Sequence, residues 1–560
     1  MSKDVDAERK YIHLVVGITG HRDIPDEDRD RLKELIKGVF RELRSKFPDT
    51  PLLLLTPLAE GADRIAAEAA LEEGVKYVVV LPMREDLYKD DFKDSLEEYE
   101  RLKKQALGYF TLPIDPSKID AIKQYGPERD QRYEEVGVYI VKHCQVLIAL
   151  WDGKVTGLKG GTSEIVKFKL EGLPNEYTPY IGPLDEPDKG VVVHIRTRRK
   201  KYPELNFNPT VEWLCPEIGQ GGKELCLDKN ETFKKIDEFN REVKKLSEEE
   251  VKRSRDSLVF EEDSRKREEI LRKENFVSFI FGESDAISIR YRDRWRLTQI
   301  SQIFILGFLL LTLLLFYELS DAFWALLSYS VLYIVSLIIF RYLKLSKSFR
   351  LKYIQYRALA EGLRVLFFLR LAGKHEDIHD LYPRRYKKYI RWVRETLKSV
   401  NVFDPQPRPD FEAVKKYWIG GQLEYYSSTV NKYEKEVNKL KRVVEFLIIV
   451  GISLVVLLNV LNVMSISKLI TFGILIGTYI LTFFIGALEN YFERFKIEQI
   501  GEEYKDMAEV FNKAMNRWDN RDPDKNSEIV VELAKEAMRE NANWFLIRLY
   551  TSDEMSASFA

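Results

Sequence analysis

Cysteine is scarce: Cys144, Cys215 and Cys226 are the only three in 560 residues. An odd, sparse set without metal-ligand spacing argues against a disulfide framework and fits a reducing compartment. Neither sign of charge is in excess. With 88 Lys+Arg against 89 Asp+Glu and a formal net charge of -1, no basic surplus points to nucleic acid as a partner. A signal peptide is not expected either, because Met1 to Lys10 is charged and the first apolar run is too short. What is present is contrast. The average hydropathy is that of a soluble protein, yet it averages a polar first half with a second half that holds long apolar blocks. A chain of this length implies roughly two to four domains. The expected class is a cytosolic head joined to a membrane region.

In the head, short apolar runs recur at Ile12 to Val16, Leu52 to Leu55, Tyr77 to Leu81, Val146 to Leu150 and Val191 to Ile195. Amphipathic stretches such as Pro25 to Phe47 and Ala62 to Glu73 lie between them. Continuous apolar strands alternating with helices predict a doubly wound parallel α/β sheet over residues 1-205, in which ligands bind beyond the carboxyl ends of the strands. The first strand runs into Gly17-Ile18-Thr19-Gly20-His21-Arg22, which reads as a glycine-spaced turn that lets backbone N–H groups approach an anion. After the second strand, Glu60-Gly61-Ala62-Asp63-Arg64 opens a helix; after the third come Leu81-Pro82-Met83, Tyr88 and Asp91-Phe92. The fourth leads to Trp151-Asp152-Gly153 and then Gly160-Gly161-Thr162-Ser163-Glu164, a second glycine loop with Thr162 or Ser163 as the natural N-cap. Two glycine loops at two helix starts would face one crevice. Plainer readings stand beside these: Asp63-Arg64 as a surface pair, Asp152-Gly153 as a simple turn, His21 as solvent-facing, and His13 and His143 as packing or capping residues.

Gly17 to Arg22, Leu58-Ala59-Glu60-Gly61-Ala62-Asp63-Arg64, Leu81-Pro82, and Ala149 to Gly153 leading to Gly160 to Val166 together resemble the SLOG superfamily of Rossmann-like domains. That superfamily includes LOG-type nucleotide phosphoribohydrolases and the sensor heads of bacterial conflict systems, and is similar to the N-terminal region of TRPM channels. The resemblance covers about residues 8 to 200. It implies a nucleotide or nucleotide-derived second messenger, of cyclic or ADP-ribose type, with no further cofactor and no metal. The ligand-binding set it implies is Gly17, Thr19, Gly20, His21, Arg22, Glu60, Gly61, Asp63, Arg64, Asp152, Gly160, Gly161, Thr162 and Glu164, with phosphate on the two glycine loops. The hydrolytic LOG enzymes resemble a pattern of Gly-Gly-x-Gly-Thr-x-x-Glu. Here one residue, not two, separates Thr162 from Glu164, which turns the carboxylate by about 100° on a helix. Glu164, Arg22 and Arg64 are therefore the catalytic candidates of a hydrolase, and a sensor is the preferred reading.

Residues 206-295 read as a linker, irregular through Pro209 and Cys215-Pro216, followed by charged connector helices over Asn230 to Glu274. Four apolar blocks follow: Ile303 to Tyr317 and Phe323 to Phe340 within 296-345, then Phe446 to Met464 and Leu469 to Leu488 within 441-490. Cytoplasmic helical segments are expected at 346-440 and 491-560. The block lengths match the hydrocarbon thickness, the short first run needing Ile300 to Gln302 and Leu319 to complete it, so an all-α membrane domain of four transmembrane helices in two hairpins is expected. Arg290, Arg292, Arg294 and Arg296 precede the first hairpin, Arg341, Lys344, Lys347, Arg350 and Lys352 follow it, and Lys432, Lys435, Lys439, Lys441 and Arg442 precede the second. The tips hold Glu318, Asp321 and Lys468, so both hairpins hang from the cytoplasm with N- and C-termini inside. Thr312, Ser328, Ser336, Asn459, Asn462 and Thr478 would line a pore or join helix to helix, and Gly473-x-x-x-Gly477 suits close packing. His375-Glu376-Asp377-Ile378-His379 has zincin spacing, but no third ligand is near and no zinc is expected.

Two-helix modules followed by a helical tail are similar to the SLATT class of membrane effectors. That similarity implies a homo-oligomeric pore in a bacterial inner membrane, serving antiphage or abortive-infection defence. The sequence thus predicts a multi-pass effector whose head senses a nucleotide-type signal and gates a pore in the lipid bilayer. A membrane-tethered LOG-type nucleotide hydrolase and a nucleotide-binding scaffold without gating are the alternatives.

Overall fold

The computed structural model describes residues 11–157, 159–178, 182, 187–202, 208–216, 222–228, 230–318, 322–374, 377–387, 389–402, 409–464, 468–495 and 497–550. The chain forms two units: Met1–Ser247 with Glu274–Ile280 and His375–Pro407, and Glu248–Lys273 with Phe281–Lys374 and Arg408–Ala560.

In the first unit, the described residues form one sheet of seven strands in the order β4-β3-β2-β1-β5-β6-β7. These are β1 Leu14–Gly20, β2 Leu52–Thr56, β3 Lys76–Leu81, β4 Gly108–Thr111, β5 Val146–Trp151, β6 Val191–Arg196 and β7 Val211–Leu214. The first six pair in parallel and β7 runs antiparallel to β6. Period-2 pleating sends alternate residues to two cores. Leu14, Val16 and Leu54 pack with α1 Arg29–Lys46 and α2 Ala62–Glu72 on one face. Val15, Leu53 and Leu55 pack with α4 Pro127–His143 and α5 Thr162–Glu171 on the other; α3 Leu96–Gln105 precedes the edge strand β4. Both faces are covered, which is why the central strands read as unbroken apolar runs. The winding reverses between β1 and β5, which makes their carboxyl ends the switch point of the sheet.

The five expected strands are present, and β4 and β7 join them as the two edges. The strand β1 extends through Gly20, so the stretch that reads as a turn is strand up to His21. The linker reading from residue 206 is corrected in part: β7 extends the sheet, and α6 Glu231–Val243 buries Phe233, Ile236 and Phe239 in the same unit. Cys215 and Cys226 are joined by a disulfide, against the expectation from a sparse cysteine set; the fold brings β7 beside the helix Gly222–Asp228. The charged stretch to Glu274 is broken into α6, Glu248–Asp256 and Ser264–Lys273.

The second unit is helical: α7 Asn275–Glu318 from Phe281 onward, α8 Ala322–Leu371, α9 Gly421–Val463, α10 Lys468–Phe495, α11 Ile497–Arg517 and α12 Pro523–Tyr550. Among the described residues, two helical runs are long and apolar enough to cross a membrane, Phe411–Val463 and Ile470–Glu489, against the four expected. The first pair of apolar blocks lies on α7 and α8, where Ser330–Ile339 is apolar but shorter than a span. The side chains of Thr312 and Ser328 lie outside the described residues. Ser336, Asn459 and Thr478 each donate to a carbonyl of their own helix, at Tyr333, Val455 and Leu475, and Asn462 is exposed. An added Cβ at Gly473 or Gly477 would meet open space, so the small-residue pair is not a close contact within the described chain. His375 and Glu376 of the zincin-like stretch lie outside the described residues; Ile378–Asp380 is a 3-10 turn rather than part of a longer helix.

Candidate functional site

The switch point is built by close backbone approach. At Gly20 an added Cβ would stand 2.4 Å from Ala62 Cβ and 2.8 Å from Leu150 O, and at Gly17 it would stand 2.5 Å from Ile140 Cγ2. Both glycines let β1 pack against α2, β5 and α4. Thr19, half-buried, lies beside Ala149 in the sheet. The chain leaving β1 crosses the N-terminus of α2: Ala62 N–H donates to His21 O at 3.1 Å, and a Cβ on Gly61 would stand 2.5 Å from the carbonyl oxygens of both His21 and Arg22. Gly61 also has φ of 75°, so a side chain there is excluded twice.

His21 is buried. Its backbone N–H donates to Leu150 O at 3.1 Å, and its Nε2 accepts from the Asp152 N–H at 3.1 Å. Burial holds the imidazole below its ordinary pKa, helped by Arg199 and opposed by Asp152. A neutral ring with Nε2 accepting carries its proton on Nδ1. Asp152 Oδ1 lies 3.2 Å from the same Nε2 and accepts from Lys154 N–H at 3.0 Å. Asp152 Oδ2 is buried without a hydrogen-bond partner among the described residues. The solvent-facing histidine and the simple turn are thereby both corrected.

Arg22 is exposed, its guanidinium 5.2 Å from the centre of the Tyr133 ring. The Tyr133 hydroxyl donates to Asp91 and accepts from Arg129 Nε at 2.9 Å, while Arg129 Nη2 meets Asp91 Oδ1 at 2.6 Å. The Arg129 and Asp91 side chains are both buried. Asp63, also buried, accepts from Ala59 N–H at 3.1 Å. Burial pushes its carboxyl up to about 7, against the pull of Arg22 and Arg64. Glu60 accepts from the Ser95 hydroxyl.

Two catalytic candidates are already engaged. Arg64 is fully buried; its Nε donates to Leu58 O at 3.2 Å, and its Nη1 to Glu98 at 2.8 Å and Ser95 O at 3.1 Å. It is an internal strut to α3, not a surface pair. The helix α5 has Gly161 as N-cap, with Thr162 its first residue, which corrects the expected Thr162 or Ser163 cap. Glu164 Oε2 accepts from Gly160 N–H at 2.6 Å and so closes its own loop at the positive end of the helix. Gly160 has φ of 68°, and a Cβ there would stand 2.8 Å from Glu134 N.

The arrangement thus sets an exposed arginine on an aromatic face, a neutral histidine beside an unpartnered carboxylate oxygen, and two helix N-termini at the carboxyl edge of a parallel sheet. Arg129 and Tyr133 escaped the sequence reading because they sit within a helix and not after a strand; their Arg-x-x-x-Tyr spacing, which puts both on one face, is the only local signal. No family model matches the chain, and no curated protein and no solved structure matches it.

Proposed function

We propose that the α/β unit is a SLOG-like sensor of a nucleotide or nucleotide-derived second messenger, and that its ligand gates an oligomeric pore formed by the helical unit. The observation that carries the reading is the pairing of exposed Arg22 on Tyr133 with the unpartnered Asp152 Oδ2, both at the switch point of the sheet. A phosphate suits Arg22 and the N-terminal end of α5, and a ribose hydroxyl suits Asp152 as acceptor. Engagement of Glu164 by Gly160 and burial of Arg64 favour binding without turnover.

In this reading α7 with α8 and α9 with α10 form two hairpins in a bacterial inner membrane, with both chain ends cytoplasmic and several copies per pore. The role in antiphage defence rests on the SLOG and SLATT resemblance. Gating requires that the ligand favour one state energetically. The test is mass spectrometry of small molecules released from the purified full chain, followed by incubation of the recovered compound with fresh protein. An intact, stable nucleotide is expected; recovery of free base and ribose phosphate with turnover would replace the sensor by a hydrolase.

A further inference from the structure

At the amino ends of β5 and β6, the end of the sheet away from His21, lies a cavity of about 360 Å³, a size suited to a small metabolite. Val141, Leu173, Val191 and Phe233 supply its apolar wall. The turn Ile378–Asp380 and the helix Arg391–Val400 also line it.

The buried cations around it are already engaged. Lys169 Nζ donates to Val141 O at 3.1 Å and Cys144 O at 2.5 Å. Arg394 grips Asp188 with both Nη atoms at 3.0 and 2.8 Å. Lys398 bridges Asp188 at 2.9 Å and Glu395 at 2.7 Å, and Lys142 is held by Asp377 and stands 3.8 Å from Asp380 Oδ2, beyond hydrogen-bond distance. Among the described residues, each of these buried positive heads already has an acceptor, which disfavours a phosphate. Lining the cavity, the polar atoms that lack hydrogen-bond partners among the described residues are His379 Nδ1 and Nε2 and Asp380 Oδ2, on side chains 1% and 2% exposed; Nε2 stands 3.5 Å from Asp380 Oδ1 without bonding it. Such atoms are rare in protein interiors. They offer a neutral imidazole, which donates once and accepts once, and a carboxylate oxygen that only accepts.

We propose that this cavity is a second binding site, for an uncharged heterocycle of the nucleobase class. Its N–H donates to Asp380 Oδ2, a neighbouring ring nitrogen or carbonyl pairs with His379, and its faces lie against Leu173 and Phe233. In the chain, the segment His375–Pro407 lies between α8 and α9, so the occupant touches an insertion that leaves and rejoins the helical unit. The site therefore suits an effector rather than a substrate. It does not depend on the crevice at His21.

The experiment uses the full chain in detergent micelles with ring-15N-labelled histidine, of which there are six, the His379 signals being assigned by their loss in His379→Gln. Adenine and uracil are the uncharged probes and inorganic phosphate the anionic one. A saturable shift of the His379 ring nitrogens with a base but not with phosphate is expected, and Asp380→Asn should weaken it at least about tenfold. A base that leaves His379 unmoved, phosphate that moves it equally, or unchanged affinity in Asp380→Asn would overturn the proposal. If Asp380→Asn does not fold, the wild-type titration decides. His21 reports the crevice separately, so a base that shifts His21 alone contradicts this cavity without touching the sensor reading.

Discussion

The two units use the same apolar side chains for opposite ends. In the sheet unit Leu53, Leu54, Leu55 and Val79 are wholly buried, whereas in α9 Ile449, Val456 and Val463 are 63%, 59% and 85% exposed. Removing apolar surface from water stabilises by about 25 cal/mol per Å², so the sheet unit carries its stabilisation within itself. The exposed face of α9 gains nothing comparable from the chain alone and needs an apolar surrounding, another copy or lipid. The helical unit has a core of its own, with Leu363, Phe367, Trp418 and Phe511 buried, so the contrast lies between the inner strands and the exposed face of α9.

The strongest way to break that contrast is a charge on α9. Ile452, 61% exposed, lies in the apolar block, and Ile452→Asp should cost roughly 3 kcal/mol at the centre of a spanning helix and move the chain out of the membrane fraction on cell fractionation. Full retention there would mean that this face does not meet lipid.

Acid and base should separate the units next. Burial lowers His13 and His143 to about 4. Between about pH 6.5 and 4 the unfolded chain then binds more protons, and stability falls as pH falls through that window by roughly 3 kcal/mol for each histidine. In the helical unit burial pushes Glu540 up to about 8, with Glu361 and Glu503 adding to the effect. The sign there is opposite: the fold holds the proton, so stability falls as pH rises from about 4.5 through 8. Denaturation monitored separately in each unit should show the two slopes, and Glu540→Gln should flatten the second. Parallel slopes would erase the distinction.

Within the sheet unit, Gly20→Val should destabilise the fold by roughly 1–3 kcal/mol, because the new side chain meets Ala62 and the Leu150 carbonyl; the midpoint of chemical denaturation reads it. The smallest effect is Tyr133→Phe, which removes the hydroxyl between Asp91 and Arg129 at about 1 kcal/mol. It leaves the ring under Arg22, so nucleotide affinity should change less than in Arg22→Ala; equal losses would show that the hydroxyl, not the ring, serves the ligand.

How much of this was legible follows from where each residue gets its role. The five inner strands are buried on both faces and so appear as apolar runs, whereas β4 is a half-exposed edge and β7 carries two exposed residues, and neither has that signature. A glycine needed for a turn and one needed for close packing look alike in sequence, which is why the sequence reads a turn from Gly17 where β1 runs on through Gly20. Arg64 and Glu164 stand at helix starts like ligand residues, yet their partners, Glu98 and Gly160, are set by packing and by a loop closure that spacing does not encode. The segment between α8 and α9 lies in sequence inside the helical unit, but its described residues group with the sheet unit, a long-range pairing without local signal.

The most direct test of the central claim is dye release from vesicles containing the full chain, on addition of the nucleotide recovered from the purified protein. The account predicts release that depends on the nucleotide and is lost in Arg22→Ala. Saturable binding with the dye retained would contradict gating and leave a nucleotide-binding scaffold.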